Sequence, residues 1–311
     1  MRSLSPEQVE LIVAAANEGL SLFSAGALEK DVHLTEVLRA LKKVETEDLE
    51  LVFCGGTSLV KAYGYLNRMS EDIDIKVVDR SGRNTSAIRQ SLSHLKVAVT
   101  KAFVDSAFVV KTPQAMSANR YITFDLRYEP KFPSEVSLRP EIKVEFTYAP
   151  AHLPVVQRSI SMLLLRDLGM TEQPLEFTCN AMEETLAEKV LGFLRRSSRL
   201  LSNQDSDERL VRHIHDVHIL AGMEPDLVAT HRAFKLAVEE DVRKFANQDP
   251  AFSQNPKLVL ETALQMARSD SQLKVSYLKF VEDLVAGGAP DFDAALSTFT
   301  LLARGLIAGL D

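Results

Sequence analysis

Residues 49–78 carry the pattern that most limits what this chain can become. An apolar run, LELVFC, stops at Gly55-Gly56 with Thr57 and Ser58 behind them, and EDIDIKVV then returns with period-two alternation. The short apolar run reads as a strand, and the alternation sends Asp72 and Asp74 to one face of a second strand while Ile73 and Ile75 go to the other. Glycines after a strand permit a sharp turn that brings backbone N–H groups close to a ligand, and a helix starting there adds partial positive charge. Two readings share this pattern: a phosphate cradle with hydroxyl donors on Thr57 and Ser58, or a tight capped turn. The carboxylates also read two ways. A solvated edge strand tolerates their repulsion, whereas a divalent cation makes the spacing purposeful, because such ions take carboxylate oxygens together with substrate phosphates.

A two-metal centre calls for a third acid from a neighbouring strand. EIKVEFTY offers Glu145 on the face of Lys143, with Ile142, Val144 and Phe146 turned to the core, and Asp125 in TFDLRY competes for that role.

Around this segment the periodicity divides the chain. Ser5 as N-cap, Pro6 at the first helical position and Gln8 three residues after the cap start a helix expected to run to about Leu22. DVHLTEVLRALKKV and NTSAIRQSLSHLKVAVTKAF read as further helices, and RYITFDLRYEP and EIKVEFTY as strands. After about Pro174 no strand pattern is expected. Asn180 is expected to cap a helix with Met182, Leu186, Val190 and Leu191 or Phe193 on one face, and DERLVRHIHDVHILAG, closed by Gly222, begins a series of further helices. The expected fold class is α/β (α+β): a first domain, 1–175, with a mixed β-sheet, and an all-α helical bundle, 176–311.

Hydrophobic residues at 46% and charged residues at 25% are those of a soluble globular protein. Two distant cysteines without metal-ligand spacing, and no signal-peptide core at the N-terminus, point to the cytoplasm. No apolar run approaches the roughly 18 residues of a membrane helix, so no membrane partner is expected. The net charge of −7 argues against a protein that coats nucleic acid non-specifically but leaves room for a local basic patch.

The order strand, GGTS, helix, RMSEDIDI and a later acid-bearing strand resembles the DNA polymerase beta-like nucleotidyltransferases. The fuller GGTSL and NRMSEDIDI resemble the AbiEii subgroup, nucleotidyltransferase toxins of toxin–antitoxin systems that include the mycobacterial MenT proteins. AMEETLAEKVLGFLRR and RHIHDVHIL extend the likeness discontinuously to about residue 220 and single out Lys189 and Asp216. The resemblance implies a nucleoside triphosphate (NTP) bound at Gly55, Gly56, Thr57 and Ser58, with Gly56 and Ser58 on the β and γ phosphates. It implies Mg²⁺ or Mn²⁺ on Asp72, Asp74 and Glu145, the last a departure from the aspartate of the family pattern. Lys189 would neutralise triphosphate charge, and Asp216 would position Lys189 or a base. RNA, with the tRNA 3′ end in the lead, would be the acceptor, and a cognate antitoxin the partner. A small-molecule transferase and a non-catalytic nucleotide- or RNA-binding relative are the rival readings.

Other features have plainer alternatives. Lys189 could be a solvent-facing helix lysine, and Asp216 could simply pair with Arg212 along a helix. His215 and His218 could share a metal, although no accompanying cysteine or His-Glu-x-x-His pattern supports that. Arg195, Arg196, Arg199, Arg209 and Arg212 form the best basic cluster, either a solvated face or a grip on RNA phosphates. Lys61 and Arg68 fall beside the glycine loop or merely on a surface.

Overall fold

The computed structural model describes residues 1–46, 48–133, 138–171, 173–203 and 207–310, the side chains of 199–203 excepted. The chain packs as two compact units, Met1–Ala151 with Val155–Asn180, and His152–Pro154 with Ala181–Asp311.

The first unit opens with α1 (Pro6–Asn17) and α2 (Ala25–Lys42). The capping box forms as expected: Gln8 N–H donates to Ser5 Oγ at 3.2 Å and Ser5 N–H to Gln8 Oε1 at 3.0 Å. The helix ends at Asn17 rather than near Leu22, because Gly19 takes a left-handed φ of +64° just past the cap, where L side chains are strained. Strand β1 (Leu49–Cys54), α3 (Gly55–Lys61), β2 (Asp72–Asp79) and α4 (Thr85–Asp105) follow. Then come β3 (Val109–Val110), β4 (Gln114–Met116), β5 (Tyr121–Arg127), β6 (Ile142–Tyr148), β7 (Val156–Ile160), α5 (Leu163–Asp167) and β8 (Leu175–Cys179). All eight strands join one mixed sheet in the order β3-β5-β6-β2-β1-β8-β7, with β4 alongside β5. The β2–β6 and β1–β8 pairs are parallel, and β1–β2 and β5–β6 antiparallel. The expectation that strands end near Pro174 is corrected by β8, whose Cys179 pairs with Phe53 of β1. With only five residues, LEFTC, it was too short to declare a period.

One face of the sheet is the core of this unit. Ile73, Ile75, Ile122, Phe124, Leu126, Ile142, Val144 and Phe146 are buried there, and Ile88, Leu92, Leu95, Val99 and Phe103 of α4 are buried at helical spacing. Phe103 meets Phe124 edge-on at 5.4 Å, and Phe124 meets Phe146 at 5.6 Å. Burial of these side chains is the main stabilising term of the unit.

Helix α2 does something less common. Three consecutive ionisable residues are buried, and each fixes a different piece of chain. Glu29 accepts from the N–H groups of Lys131 (2.8 Å) and Phe132 (3.0 Å). Lys30 donates to the carbonyls of Arg139 and Glu141. Asp31 accepts from Lys61 Nζ at 2.5 Å and from the N–H of Leu163 at 2.7 Å. Lys61 is therefore neither a surface residue nor a phosphate ligand; at 1% exposure it is half of a buried ion pair. Arg68 is buried too and donates to its neighbour Met69's carbonyl.

The second unit is helical: α6 (Met182–Asn203), a 3₁₀ turn at Glu208–Leu210, α7 (Val211–Ala221), α8 (Leu227–Phe245), α9 (Pro250–Gln254), α10 (Pro256–Ser269), α11 (Ser271–Leu284) and α12 (Phe292–Ala308). Met182, Leu186, Val190, Leu191 and Phe193 of α6 are all buried, as their spacing predicted. The helix starts at Met182, which puts its cap at Ala181 rather than Asn180; Asn180 instead donates its N–H to the Phe53 carbonyl beside β8. Among the described residues no helix is long and apolar enough to cross a membrane.

Removing Lys61 strands the Asp31 carboxylate in the interior, and breaking a buried pair from one side typically costs about 3–5 kcal/mol. Lys61→Met should therefore lower the unfolding free energy in a denaturant titration by about 3 kcal/mol or more; a loss under about 1 kcal/mol would show that the pair is dispensable.

Candidate active site

On the sheet face opposite the aromatic core, the acids of β2 and β6 come together. The parallel register sets Asp74 opposite Glu145 and Asp72 opposite Lys143. All three carboxylates are partly exposed on this face, so the alternation read from the sequence holds on both strands. Asp125 lies on β5 opposite Lys143, on the same face but on the far side of β6 from β2.

The glycine turn packs against this row. Gly55 has a φ of +74°, and a Cβ placed there would lie 2.1 Å from Asp74 Oδ2. Only glycine lets the start of α3 approach the Asp74 carboxylate so closely, which answers why a glycine follows the strand. The two hydroxyls behind it are buried and occupied within the protein. Thr57 Oγ1 donates to the Asp72 carbonyl and lies 2.7 Å from Ser70 Oγ, while Ser58 Oγ donates to the Gly55 carbonyl at 2.9 Å. They fasten α3 to β2 rather than reaching outward as phosphate donors. Gly55 and Gly56 remain half-buried, and Cys54 gives the first turn of α3 no side-chain cap.

Two cations and a tyrosine join the acids, and sequence reasoning did not place them in the site. Arg139 Nη1 lies 3.1 Å from Asp72 Oδ1, and Lys143 Nζ pairs with Glu145 Oε1. Tyr121, on β5, hydrogen-bonds Glu145; burial first, and then the negative charges of Glu145, Asp74 and Asp72, push its hydroxyl well above the usual tyrosine range. The phenol thus lies within the field of the acidic row. Lys143 was legible as Glu145's neighbour on the strand. Tyr121 could have been found by carrying the β5 alternation one step back from Thr123, which the register sets opposite Glu145. Arg139 carried no periodic signal at all.

Among the described residues, no group of three or more His, Cys, Asp or Glu side chains stands arranged to hold a metal ion. Asp72 and Glu145 are balanced by Arg139 and Lys143 instead. The donor set still fits a divalent cation in kind: hard carboxylate oxygens, two on one strand and one directly across, beside a glycine turn with no side chain in the way.

Lys189 and Asp216 belong to the second unit. Lys189 Nζ sits 2.6 Å from Asp216 Oδ2, with the two side chains 9% and 0% exposed, so the solvent-facing reading of Lys189 is overturned. His215 Nδ1 lies 3.2 Å from Asp216 Oδ1 and His218 Nδ1 lies 2.9 Å from Thr298 Oγ1, and among the described residues no group of three or more candidate ligands gathers around the pair. Three arginines of the basic cluster are paired with two carboxylates. Arg195 pairs with Asp241 at 2.8 Å and stacks on Phe245, and Arg196 and Arg209 both pair with Asp207. Burial pulls the Asp207 carboxyl upward, but the hydrogen bonds and charges of Arg209 and Arg196 outweigh it and leave the group below its ordinary value. The Arg199 side chain lies outside the described residues.

Comparison with known proteins bears on this geometry. The family model described as nucleotidyl transferase AbiEii toxin, type IV TA system, matches residues 37–298, most of the chain and all of the residues just described. The chain belongs to the AbiEii family. Its members are nucleotidyltransferase toxins of type IV toxin–antitoxin systems, a setting that implies an NTP substrate and an antitoxin partner. A similar fold occurs in MenT4, a nucleotidyltransferase toxin from Mycobacterium tuberculosis H37Rv, at 19% identity over 99% of this chain and 91% of that one, with a TM-score of 0.64. At that identity the likeness speaks to the fold, a mixed α/β architecture shared with a nucleotidyltransferase. No curated protein sequence matches.

The Gly55 contact gives a direct check of the site's construction. Gly55→Ala combines a left-handed φ with a clash against Asp74 and should destabilise the protein by about 2 kcal/mol or more, measured by denaturant unfolding, whereas Gly64→Ala, where nothing lies within 4 Å, should cost only the backbone strain of about 1–2 kcal/mol. Equal losses at the two positions would remove the argument for a close approach.

Proposed function

We propose that this chain is a metal-dependent nucleotidyltransferase toxin that moves a nucleoside monophosphate from an NTP to an RNA acceptor, the 3′ end of tRNA, and so blocks translation in the cytoplasm until its cognate antitoxin counteracts it. The observation that carries the reading is the acidic row itself: Asp74 opposite Glu145, Asp72 two residues away, and a glycine turn packed against Asp74. Like charges gathered beside a turn poor in side chains serve no packing purpose, but they suit a cation and the phosphates that come with it.

In this reading Asp72, Asp74 and Glu145 would hold Mg²⁺ or Mn²⁺, which would lower the pKa of the attacking hydroxyl and neutralise charge on the transferring phosphate. The acceptor hydroxyl oxygen bonds to the α-phosphorus, the bond from that phosphorus to the bridging oxygen breaks in line, and pyrophosphate departs with its electrons. The hydroxyl proton passes to a carboxylate oxygen of the acidic row. Main-chain N–H groups at Gly56 and Thr57 take the phosphate-binding role, since the Thr57 and Ser58 hydroxyls are used internally. The family resemblance gives Lys189, paired with Asp216 inside the second unit, the role of a point cation toward triphosphate charge.

A second reading, transfer to a small-molecule acceptor, is favoured by two observations: Arg195, Arg196 and Arg209 are paired with carboxylates, and the net charge is −7. RNA would have to displace those pairs to use the cluster.

Incubation with Mg²⁺, each alpha-labelled ribonucleotide in turn and total tRNA separates the readings. Label should enter tRNA with the wild type, and Asp72→Ala should reduce incorporation by about a hundredfold or more, as loss of a metal ligand does. Its stability should change by less than about 1 kcal/mol, because the Asp72 side chain is 32% exposed, its pair with Arg139 is screened by solvent, and repulsion from the neighbouring acids is relieved. Wild-type labelling by Asp72→Ala would refute the metal assignment; label in small acceptors but never in RNA would select the second reading.

A further inference from the structure

The residue that most needs explaining is Arg139. Its backbone is fastened by two buried charges: its N–H donates to Glu71 Oε2 at 2.8 Å, and its carbonyl accepts from Lys30 Nζ. Lys30 also donates to the Glu141 carbonyl at 3.1 Å and lies 3.6 Å from Glu71, the two side chains being 1% and 3% exposed. Burial holds the Lys30 ammonium below its ordinary pKa even with Glu71 and Asp72 opposing, so this anchor is maintained at a cost. A pinned main chain has one outward consequence. It delivers the Arg139 side chain, about one-third exposed at 32%, onto the acidic row, with Nη1 3.1 Å from Asp72 Oδ1.

A counter-ion for Asp72 alone would not need such an anchor, and a flexible lysine would serve. A guanidinium is the group whose fork matches phosphate oxygens. A divalent cation held by Asp72 would compete with Arg139 for that carboxylate, and such cations bind together with polyphosphates. The released guanidinium stays within side-chain reach, because its backbone is held independently of Asp72. We propose that Arg139 is a triphosphate-binding residue, resting on Asp72 until metal and nucleotide arrive and then pairing with a phosphate oxygen of the nucleotide. This inference rests on the transferase reading and adds a named nucleotide ligand to it.

The test uses the full chain and two ligands separately. Isothermal titration with each ribonucleoside triphosphate in Ca²⁺ should give for Arg139→Gln an affinity weaker than wild type by about tenfold or more, with Arg139→Lys in between, while the matching nucleoside changes by less than about twofold. Mn²⁺ binding without nucleotide, read by electron paramagnetic resonance, should tighten in Arg139→Gln because the competing cation is gone. The anchors are main-chain atoms, so both variants keep the backbone contacts; should Arg139→Gln fail to fold, the Lys variant carries the test, and triphosphate affinity equal to wild type overturns the proposal. Tighter Mn²⁺ with unchanged triphosphate affinity would make Arg139 a counter-ion only and would also overturn it. If the wild type itself binds no triphosphate, the transferase reading falls and the proposal with it.

Discussion

Like-charged carboxylates held side by side are the constraint around which the first unit is organised. Asp74 faces Glu145 across two parallel strands, and Asp72 follows on the same face. The sheet can carry them because its other face supplies the stabilisation: the isoleucines of β2 interleave with the acids along one strand and bury against the Phe103, Phe124 and Phe146 series. Sites of this kind store unfavourable electrostatics that the rest of the fold must offset. Here the offset is visible in Arg139 and Lys143, which neutralise two of the three acids.

The second organising device is the polar interior beneath α2. Glu29, Lys30 and Asp31 successively reach residues 131–132, residues 139 and 141, and Leu163, with Lys61 at the end of α3 joining through Asp31. Apolar packing would bury those segments without fixing their direction, whereas charge-assisted hydrogen bonds to main chain set both position and orientation. The helix therefore links the glycine-loop helix to the chain that carries Arg139. One element thus holds both the glycine-loop helix and the Arg139 segment that flank the acidic row.

What could be read from the sequence follows from this division of labour. Period-two strands with one apolar face declare themselves, so β2, β5 and β6 and the inward turn of Glu145's neighbours were legible, as were the short apolar run of β1, the capping box of α1 and the buried face of α6. Short strands such as β8, which lie beside others already placed, carry too few residues to show a period. Lys61 and Arg68 read as surface or phosphate-loop cations because a single sequence gives no sign that a carboxylate thirty positions earlier will meet a lysine in the core. Arg139 and Tyr121 were missed for the same reason: their place comes from register and from the Lys30–Glu71 anchor. Lys189 and Asp216 were singled out through family likeness, not through spacing; in the second unit their side chains lie 2.6 Å apart.

The central claim is that the acidic row binds a cation and the phosphates of a nucleotide together. A crystal structure with Mn²⁺ and a ribonucleoside triphosphate analogue that cannot be cleaved between its α and β phosphorus atoms tests it most directly, through the anomalous signal of the metal. The account predicts manganese bound by Asp72 and Asp74, with the triphosphate lying over Gly55 and Gly56. Manganese or triphosphate bound away from that face, with Asp72 and Asp74 still paired only to protein groups, would contradict it.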